Sequence, residues 1–130
     1  MIENSASVSV LVVEDQILIA TDLENILLER GLAVIGPCAT LGHALELLHN
    51  AQPDFAMLDF DLAGVSSLPL ARELSRRDIP FAFVTGSPGA EPAAHEFINS
   101  AIVQKPFKPV DIIKLVESFA SKKRPAFPAN

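Results

Sequence analysis

The run Val8-Ser9-Val10-Leu11-Val12-Val13 constrains the fold of this chain most. It is short, β-branched and nearly continuous in apolar residues. A strand with one wet face alternates apolar and polar side chains, whereas a strand covered by helices on both faces does not. The run therefore predicts a buried strand of a parallel sheet. Similar runs recur at residues 32–35, closed by Gly36-Pro37, then at 54–58, 80–84 and 101–103.

Helical patterns fill the intervals. Residues 16–30 place Ile19, Leu23, Ile26 and the aliphatic stem of Arg30 on one stripe, and Gly31 stands where a helix C-terminus is expected. Thr40 is positioned to cap a second helix carrying Leu41, Ala44, Leu45 and Leu48. Ser66 or Ser67 caps a third, with Pro69 in its first turn. The loop at 86–92 leaves room for a short helix at 93–99. Pro109 opens a last helix with its core stripe at Ile112, Leu115, Val116 and Phe119.

Strands alternating with helices imply an α/β fold with a doubly wound parallel sheet. Right-handed crossovers and five strands favour the flavodoxin-like (βα)5 arrangement, strand order 2-1-3-4-5. At 130 residues the chain predicts one domain. We assign it to residues 8–120, with an N-terminal extension at 1–7 and a flexible tail at 121–130. A chain of this size buries about two-thirds of its unfolded surface, so it needs no disulfide staple. The single cysteine, Cys38, allows no internal bridge and fits a reducing compartment. With 16 acidic against 10 basic side chains the net charge is -6, which argues against a nucleic-acid partner. No apolar run reaches the roughly 18–20 residues that span a bilayer. These features point to a cytoplasmic protein without a membrane anchor.

The chemistry collects behind the strands. Glu14 and Asp15 follow the first strand, and Asp59 and Asp61 follow the third. Thr85 ends the fourth, and Gln104-Lys105-Pro106 follow the fifth. In a parallel sheet these ends share one edge, where open α/β folds bind ligands. Taken singly, each residue has an ordinary reading. Asp15 is a helix cap, Asp59 and Thr85 are turn residues, and Lys105 is a solvated lysine. Taken together they put four carboxylates, a hydroxyl and an ammonium in one pocket. Two like charges 4 Å apart repel by about 4 kcal/mol at an effective dielectric of 20, so such a pocket calls for a cation. Hard oxygen donors without His or Cys favour Mg²⁺, which leaves positions open for phosphate oxygens. Asp59 is then the candidate nucleophile in phosphoryl transfer.

Glu14-Asp15, Asp59, Thr85 and Lys105-Pro106 make the chain resemble the bacterial response-regulator receiver domain over residues 8–120. The resemblance implies that Asp59 accepts a phosphoryl group from a phosphohistidine on a sensor histidine kinase or a histidine phosphotransfer protein. It implies Mg²⁺ held by Asp15, Asp59 and the backbone carbonyl of Asp61, with Glu14 acting through water. Lys105 and Thr85 would contact the phosphoryl oxygens, and the Lys105–Pro106 peptide would be cis. Leu58 to Gly64, Pro80 to Gly86 and Lys105-Pro106-Phe107 resemble a narrower set of stand-alone receivers, the FAT GUY group, associated with HWE or HisKA2 kinases. Here Val84 replaces the Ala of that motif, and Ser87-Pro88 lacks its Tyr. Ile102 stands where receivers usually carry the switch aromatic, so the expectation is a signal conveyed by rearrangement of the Gly86 to Pro92 loop, led by Thr85. On the same resemblance Asp61 and Ser87 flank the path of hydrolytic water. Ile102, Pro106, Val110 and Ile113 are candidates for a surface that meets a partner or a second copy of the chain.

Other classes fit less well. Asp59-Phe60-Asp61 superficially resembles the Asp-x-Asp of haloacid-dehalogenase-like phosphatases, but Ala63 stands where Thr or Val is usual. A pseudo-receiver, a binding module that is never phosphorylated, has no need of the complete acidic set. Flavodoxin-like electron transfer conflicts with Glu14-Asp15, which would repel a flavin phosphate. His43, His49 and His95 lack metal-ligand spacing and read as solvated, and Cys38 reads as a small packing residue.

Overall fold

A computed structural model describes residues 8–86 and 101–123, with side chains to Phe119. The expected short helix at 93–99, Ser87 and the rest of its loop, His95, the extension at 1–7 and the chain beyond Lys123 lie outside the described residues.

The elements are β1 (Ser9–Val13), α1 (Ile17–Glu29), β2 (Ala33–Cys38), α2 (Leu41–Asn50) and β3 (Phe55–Leu58). They continue with β4 (Asp61–Leu62), β5 (Val65–Ser66), α3 (Leu68–Arg76), β6 (Phe81–Thr85), β7 (Ala101–Gln104) and α4 (Pro109–Lys123). Strands β2-β1-β3-β6-β7 form one parallel sheet, and β4-β5 form a separate antiparallel hairpin. Counted along the five main strands, the order is the expected 2-1-3-4-5.

The apolar runs of β1, β3 and β6 are continuous because each of these central strands is covered on both faces, whereas the edge strands β2 and β7 are partly exposed. Leu11, Val13, Ala56, Leu58, Phe81 and Phe83 face Ala44 and Leu48 of α2 and Leu70 and Leu74 of α3. Their neighbours Val10, Val12, Phe55, Met57, Ala82 and Val84 face Leu23 and Leu27 of α1 and Ile112, Val116 and Phe119 of α4. Alternate side chains thus enter opposite layers, as the two-residue period of a strand requires. Phe55 and Phe119 meet with ring centroids 4.7 Å apart, pinning α4 to the middle of the sheet.

Local signals explain three helix ends. Gly31, at φ 79°, follows α1, with Gly31 N–H donating to Leu28 O (3.0 Å) and Leu32 N–H to Leu27 O (3.1 Å). That pair of bonds is a Schellman stop. Thr40 Oγ1 accepts from His43 N at 3.1 Å and caps α2. At α3 the two candidate serines divide the work. Ser66 Oγ accepts from Leu68 N at 3.1 Å, while buried Ser67 donates its hydroxyl to Phe60 O at 3.1 Å.

Three expectations are corrected. The buried stripe of α1 is Ala20, Leu23 and Leu27, with Ile19 and Ile26 at its margins. Leu27 supplies the apolar turn after Leu23, so the Arg30 stem is not needed, and Arg30 instead pairs with Glu117 of α4 at 3.2 Å. The five expected strands leave the stretch between the third strand and the third helix without one, but the β4-β5 hairpin forms there, turned by Ala63 (φ 53°) and Gly64 (φ 90°). Gly36-Pro37 does not close β2. The strand continues to Cys38, and its register shifts between Leu11 and Val13. A proline is tolerated there because β2 is an edge strand, and the extra residue forms a bulge.

Gly36 makes that bulge possible. Its φ is +94°, and a Cβ there would stand 2.8 Å from Cys38 N and 3.0 Å from Val12 O. Cys38 is buried behind it, its thiol pushed up to about 11 by burial and therefore unreactive at neutral pH. The expected consequence is that Gly36→Ala destabilises the fold by about 2 kcal/mol or more through positive-φ strain and backbone collision. Urea unfolding followed by circular dichroism reads this, and an unchanged midpoint would contradict it.

Candidate functional site

The sheet register assembles the site. Val13 pairs with Leu58, so Glu14 and Asp59 leave adjacent strands at the same level. Asp59 N donates to Val13 O at 2.9 Å, and Glu14 N donates to Cys38 O at 2.9 Å, which fixes both departures. On the other side Thr85 pairs with Gln104, and Lys105 N donates to Thr85 O at 2.9 Å. Lys105 therefore turns back toward the acidic groups from the far side of β6. The peptide after it, Lys105–Pro106, is cis as expected.

Carboxylate oxygens of Glu14, Asp15 and Asp59 lie within 4.8 Å of one another. Glu14 and Asp59 are buried, Thr85 is buried beside them, and Asp15 is half-buried. Lys105 Nζ donates to Asp59 Oδ2 at 3.1 Å and stands 2.7 Å from Glu14 Oε1. That second approach is an ion contact without hydrogen-bond direction, so Glu14 Oε1 is a buried oxygen lacking a directed donor. Its other oxygen, Oε2, accepts from Gln16 N at 3.0 Å. Asp59 Oδ1 receives Asp61 N at 3.3 Å. The Asp61 carboxylate turns outward and accepts Gly64 N at 2.9 Å, bracing the β4-β5 hairpin.

These groups wall an open cavity of about 260 Å³, lined by Asp15, Gln16, Asp59, Asp61, Ala63, Thr85, Gly86 and Lys105. The electrostatics are those of an incompletely compensated acidic pocket. Burial raises the pKa of Glu14, and the charge of Asp59 adds to this against the opposing pull of Lys105 and Gln16 N. Burial alone would lower the pKa of Lys105, but Glu14 and Asp59 outweigh it and hold the ammonium charged.

Three carboxylates and one ammonium leave excess negative charge. The donor set suits a hard divalent ion: clustered carboxylate oxygens, one of them without a directed donor, and no soft ligand among the described residues. Chemically, the site offers a carboxylate nucleophile in Asp59, a cation and a hydroxyl beside it, and an open mouth.

The expected site residues Glu14, Asp15, Asp59, Asp61, Thr85, Gly86 and Lys105 converge here, while Ser87 lies outside the described residues. Ile102 (39 % exposed) and Val110 (47 % exposed) lie on the surface away from the cavity lining, Pro106 is exposed, and Ile113 is half-buried. Sequence reasoning missed Gln16 and Ala63. Gln16 follows Asp15 directly, and that adjacency was the available signal.

The pattern of the response regulator receiver domain family matches residues 10–119. The chain belongs to that family. This receiver is 29% identical over 118 residues to the transcriptional regulatory protein PdtaR of Mycobacterium tuberculosis, covering 88% of this chain and 58% of that one. It is 28% identical over 110 residues to the phyllosphere-induced regulator PhyR of Methylorubrum extorquens, covering 82% of this chain and 41% of PhyR. The receiver thus spans less than two-thirds of either relative. SdrG from Sphingomonas melonis Fr1 superposes with a TM-score of 0.77 at 34% identity, over 90% of this chain and 99% of SdrG. A receiver protein from Sinorhizobium medicae WSM419 reaches a TM-score of 0.82 at 22% identity, over 93% and 100% of the two chains, a likeness of fold. The family assignment sets aside the dehalogenase-like phosphatase. Among the described residues no helix is long and apolar enough to cross a membrane.

Mutual repulsion in this receiver's pocket has a measurable consequence. Asp15 is half-buried, and among the described residues its carboxylate has no hydrogen-bond partner. In chelator, Asp15→Asn is expected to stabilise the fold by about 1 kcal/mol, near the solvated limit for relieving like charges. Added Mg²⁺ should stabilise the wild type more than the variant. Thermal unfolding by circular dichroism checks both, and a lower or unchanged midpoint for the variant in chelator would contradict the reading.

Proposed function

We propose that this receiver is a phosphorylatable switch or relay protein whose acceptor is Asp59. The observation that carries the proposal is the contact of Lys105 Nζ with both Asp59 Oδ2 (3.1 Å) and Glu14 Oε1 (2.7 Å) in a three-carboxylate pocket. A buried aspartate flanked by a cation and an open cavity is poised to attack an electrophilic phosphorus.

An Asp59 carboxylate oxygen forms the new bond to phosphorus. The bond from phosphorus to the donor imidazole nitrogen breaks, and its electron pair returns to the ring. Lys105 donates to the arriving phosphoryl oxygens, taking up charge that the acidic pocket would otherwise repel. Thr85, at the end of β6, hydrogen-bonds one of those oxygens. Asp15, Asp59 and the Asp61 backbone carbonyl, with Glu14 through water, are the groups to hold Mg²⁺. Bound there, Mg²⁺ supplies neutralisation of carboxylate and phosphoryl charge. The chain turns over no separate substrate on this reading, beyond loading and losing its own phosphoryl group.

The donor is a sensor histidine kinase or a histidine phosphotransfer protein. The likeness of residues 58–64 and 80–86 to stand-alone receivers favours a kinase of the HWE or HisKA2 type. Residues 8–120 form the working unit, with 1–7 and 121–130 outside it. Ile102 and Val110, both exposed, are the residues offered to a downstream partner or a second copy of the chain.

The test is phosphoryl transfer from radiolabelled histidine kinases of several types to wild type and Asp59→Asn, with Mg²⁺ and with chelator. The expected result is label on the wild type only when Mg²⁺ is present, and none on Asp59→Asn. Label persisting on Asp59→Asn would move the acceptor elsewhere.

A further inference from the structure

We propose that the carboxamide of Gln16 positions the water that removes the phosphoryl group from Asp59, and so sets the lifetime of the phosphorylated receiver. The inference rests on the acceptor reading above and deepens it.

Gln16 walls the cavity with Asp15, Asp59 and Lys105. Its backbone is held at both ends. The N–H donates to Glu14 Oε2 at 3.0 Å, and the carbonyl accepts Ala20 N at 2.9 Å in the first turn of α1. Gln16 is the N-cap of α1, yet its side chain makes no capping bond. A cap position favours Ser, Thr, Asp or Asn, whose short side chains reach back to the helix. Glutamine serves that purpose poorly. Among the described residues no hydrogen bond occupies its carboxamide, which is exposed at the cavity mouth.

The chemistry of the lining singles it out. The carboxylates of Asp15, Asp59 and Asp61 only accept, and the ammonium of Lys105 only donates. Asp61 also commits Oδ1 to Gly64 N. Ala63 and Gly86 bring no polar side chain, and the Thr85 hydroxyl is buried at 3 % exposure. Among the described residues of the lining, Gln16 is the neutral, exposed side chain that both accepts and donates. Water attacking a phosphoryl group needs an acceptor for its hydrogen that the phosphoryl oxygens do not repel. A carboxamide can take that hydrogen bond on Oε1 and give one to a phosphoryl oxygen from Nε2. Glutamine fills a comparable water-orienting role in nucleoside triphosphate hydrolysis.

In the step, the water oxygen bonds to phosphorus as the bond from phosphorus to the Asp59 carboxylate oxygen breaks. The electron pair returns to Asp59, and the water proton leaves with inorganic phosphate or to solvent. Gln16 gains no proton. It orients the nucleophile, and its loss slows the step without altering the acceptor.

The experiment loads wild type, Gln16→Leu and Gln16→Asn with phosphoramidate and Mg²⁺, removes the donor, and follows the acyl phosphate by phosphate-affinity electrophoresis. Ile17→Ala, at the neighbouring exposed position, is the control. The expected result is that all four proteins load on Asp59 and melt at the same temperature. Decay should be about fivefold slower in Gln16→Leu, the worth of one neutral hydrogen bond. Gln16→Asn should fall between Leu and wild type, because its amide retains the chemistry with less reach. Decay of Gln16→Leu at the wild-type rate or faster overturns the inference and leaves the acceptor reading standing. Failure of the wild type to load at all overturns that reading and this inference with it.

Discussion

Like-charge repulsion among Glu14, Asp15 and Asp59, offset by a single lysine, is the interaction on which the rest of the structure depends. Carboxylate oxygens within 4.8 Å of one another do not stay together of their own accord. They are held because β1 and β3 are hydrogen-bonded neighbours, because β6 and β7 bring Lys105 back across them, and because the central strands β1, β3 and β6 are sealed on both faces. The packed sheet imposes the site, and the site supplies the demand for positive charge.

Glu14 shows how closely the two are tied. One oxygen faces Lys105 and the other holds Gln16 N, so a single buried side chain links the end of β7 to the start of α1 through the floor of the pocket. Its raised pKa, with burial as the first cause, reflects a carboxylate placed for what it connects rather than for its own stability. Lys105 is similarly shared between Glu14 and Asp59. A group arriving on Asp59 therefore meets a cation already in place and already charged.

Much of this was legible in the residues. The continuous apolar runs implied two-sided burial, which fixed the parallel sheet and hence the shared edge of Glu14, Asp59, Thr85 and Lys105. The α4 stripe at Ile112, Leu115, Val116 and Phe119 is buried as its spacing implies. The failures have physical causes. Gly36-Pro37 normally punctuates a strand, and only the freedom of an edge strand to bulge let β2 run through it. The β4-β5 hairpin turns on Ala63-Gly64, and an alanine with positive φ gives no warning in sequence. Arg77 donating to Leu48 O, across the end of α2, joins residues 29 positions apart without any local pattern. Gln16 went unread because its value comes from what the neighbouring side chains cannot do, which appears only once they share a cavity.

The most direct measurement replaces Mg²⁺ with Mn²⁺ and maps paramagnetic broadening of amide signals in the isotopically labelled protein. The expected result is selective loss, at substoichiometric Mn²⁺, of signals from Glu14, Asp15, Asp59, Asp61, Thr85 and Lys105, four separate parts of the sheet edge responding as one site. Broadening centred on other surface carboxylates, with these amides untouched, would contradict it.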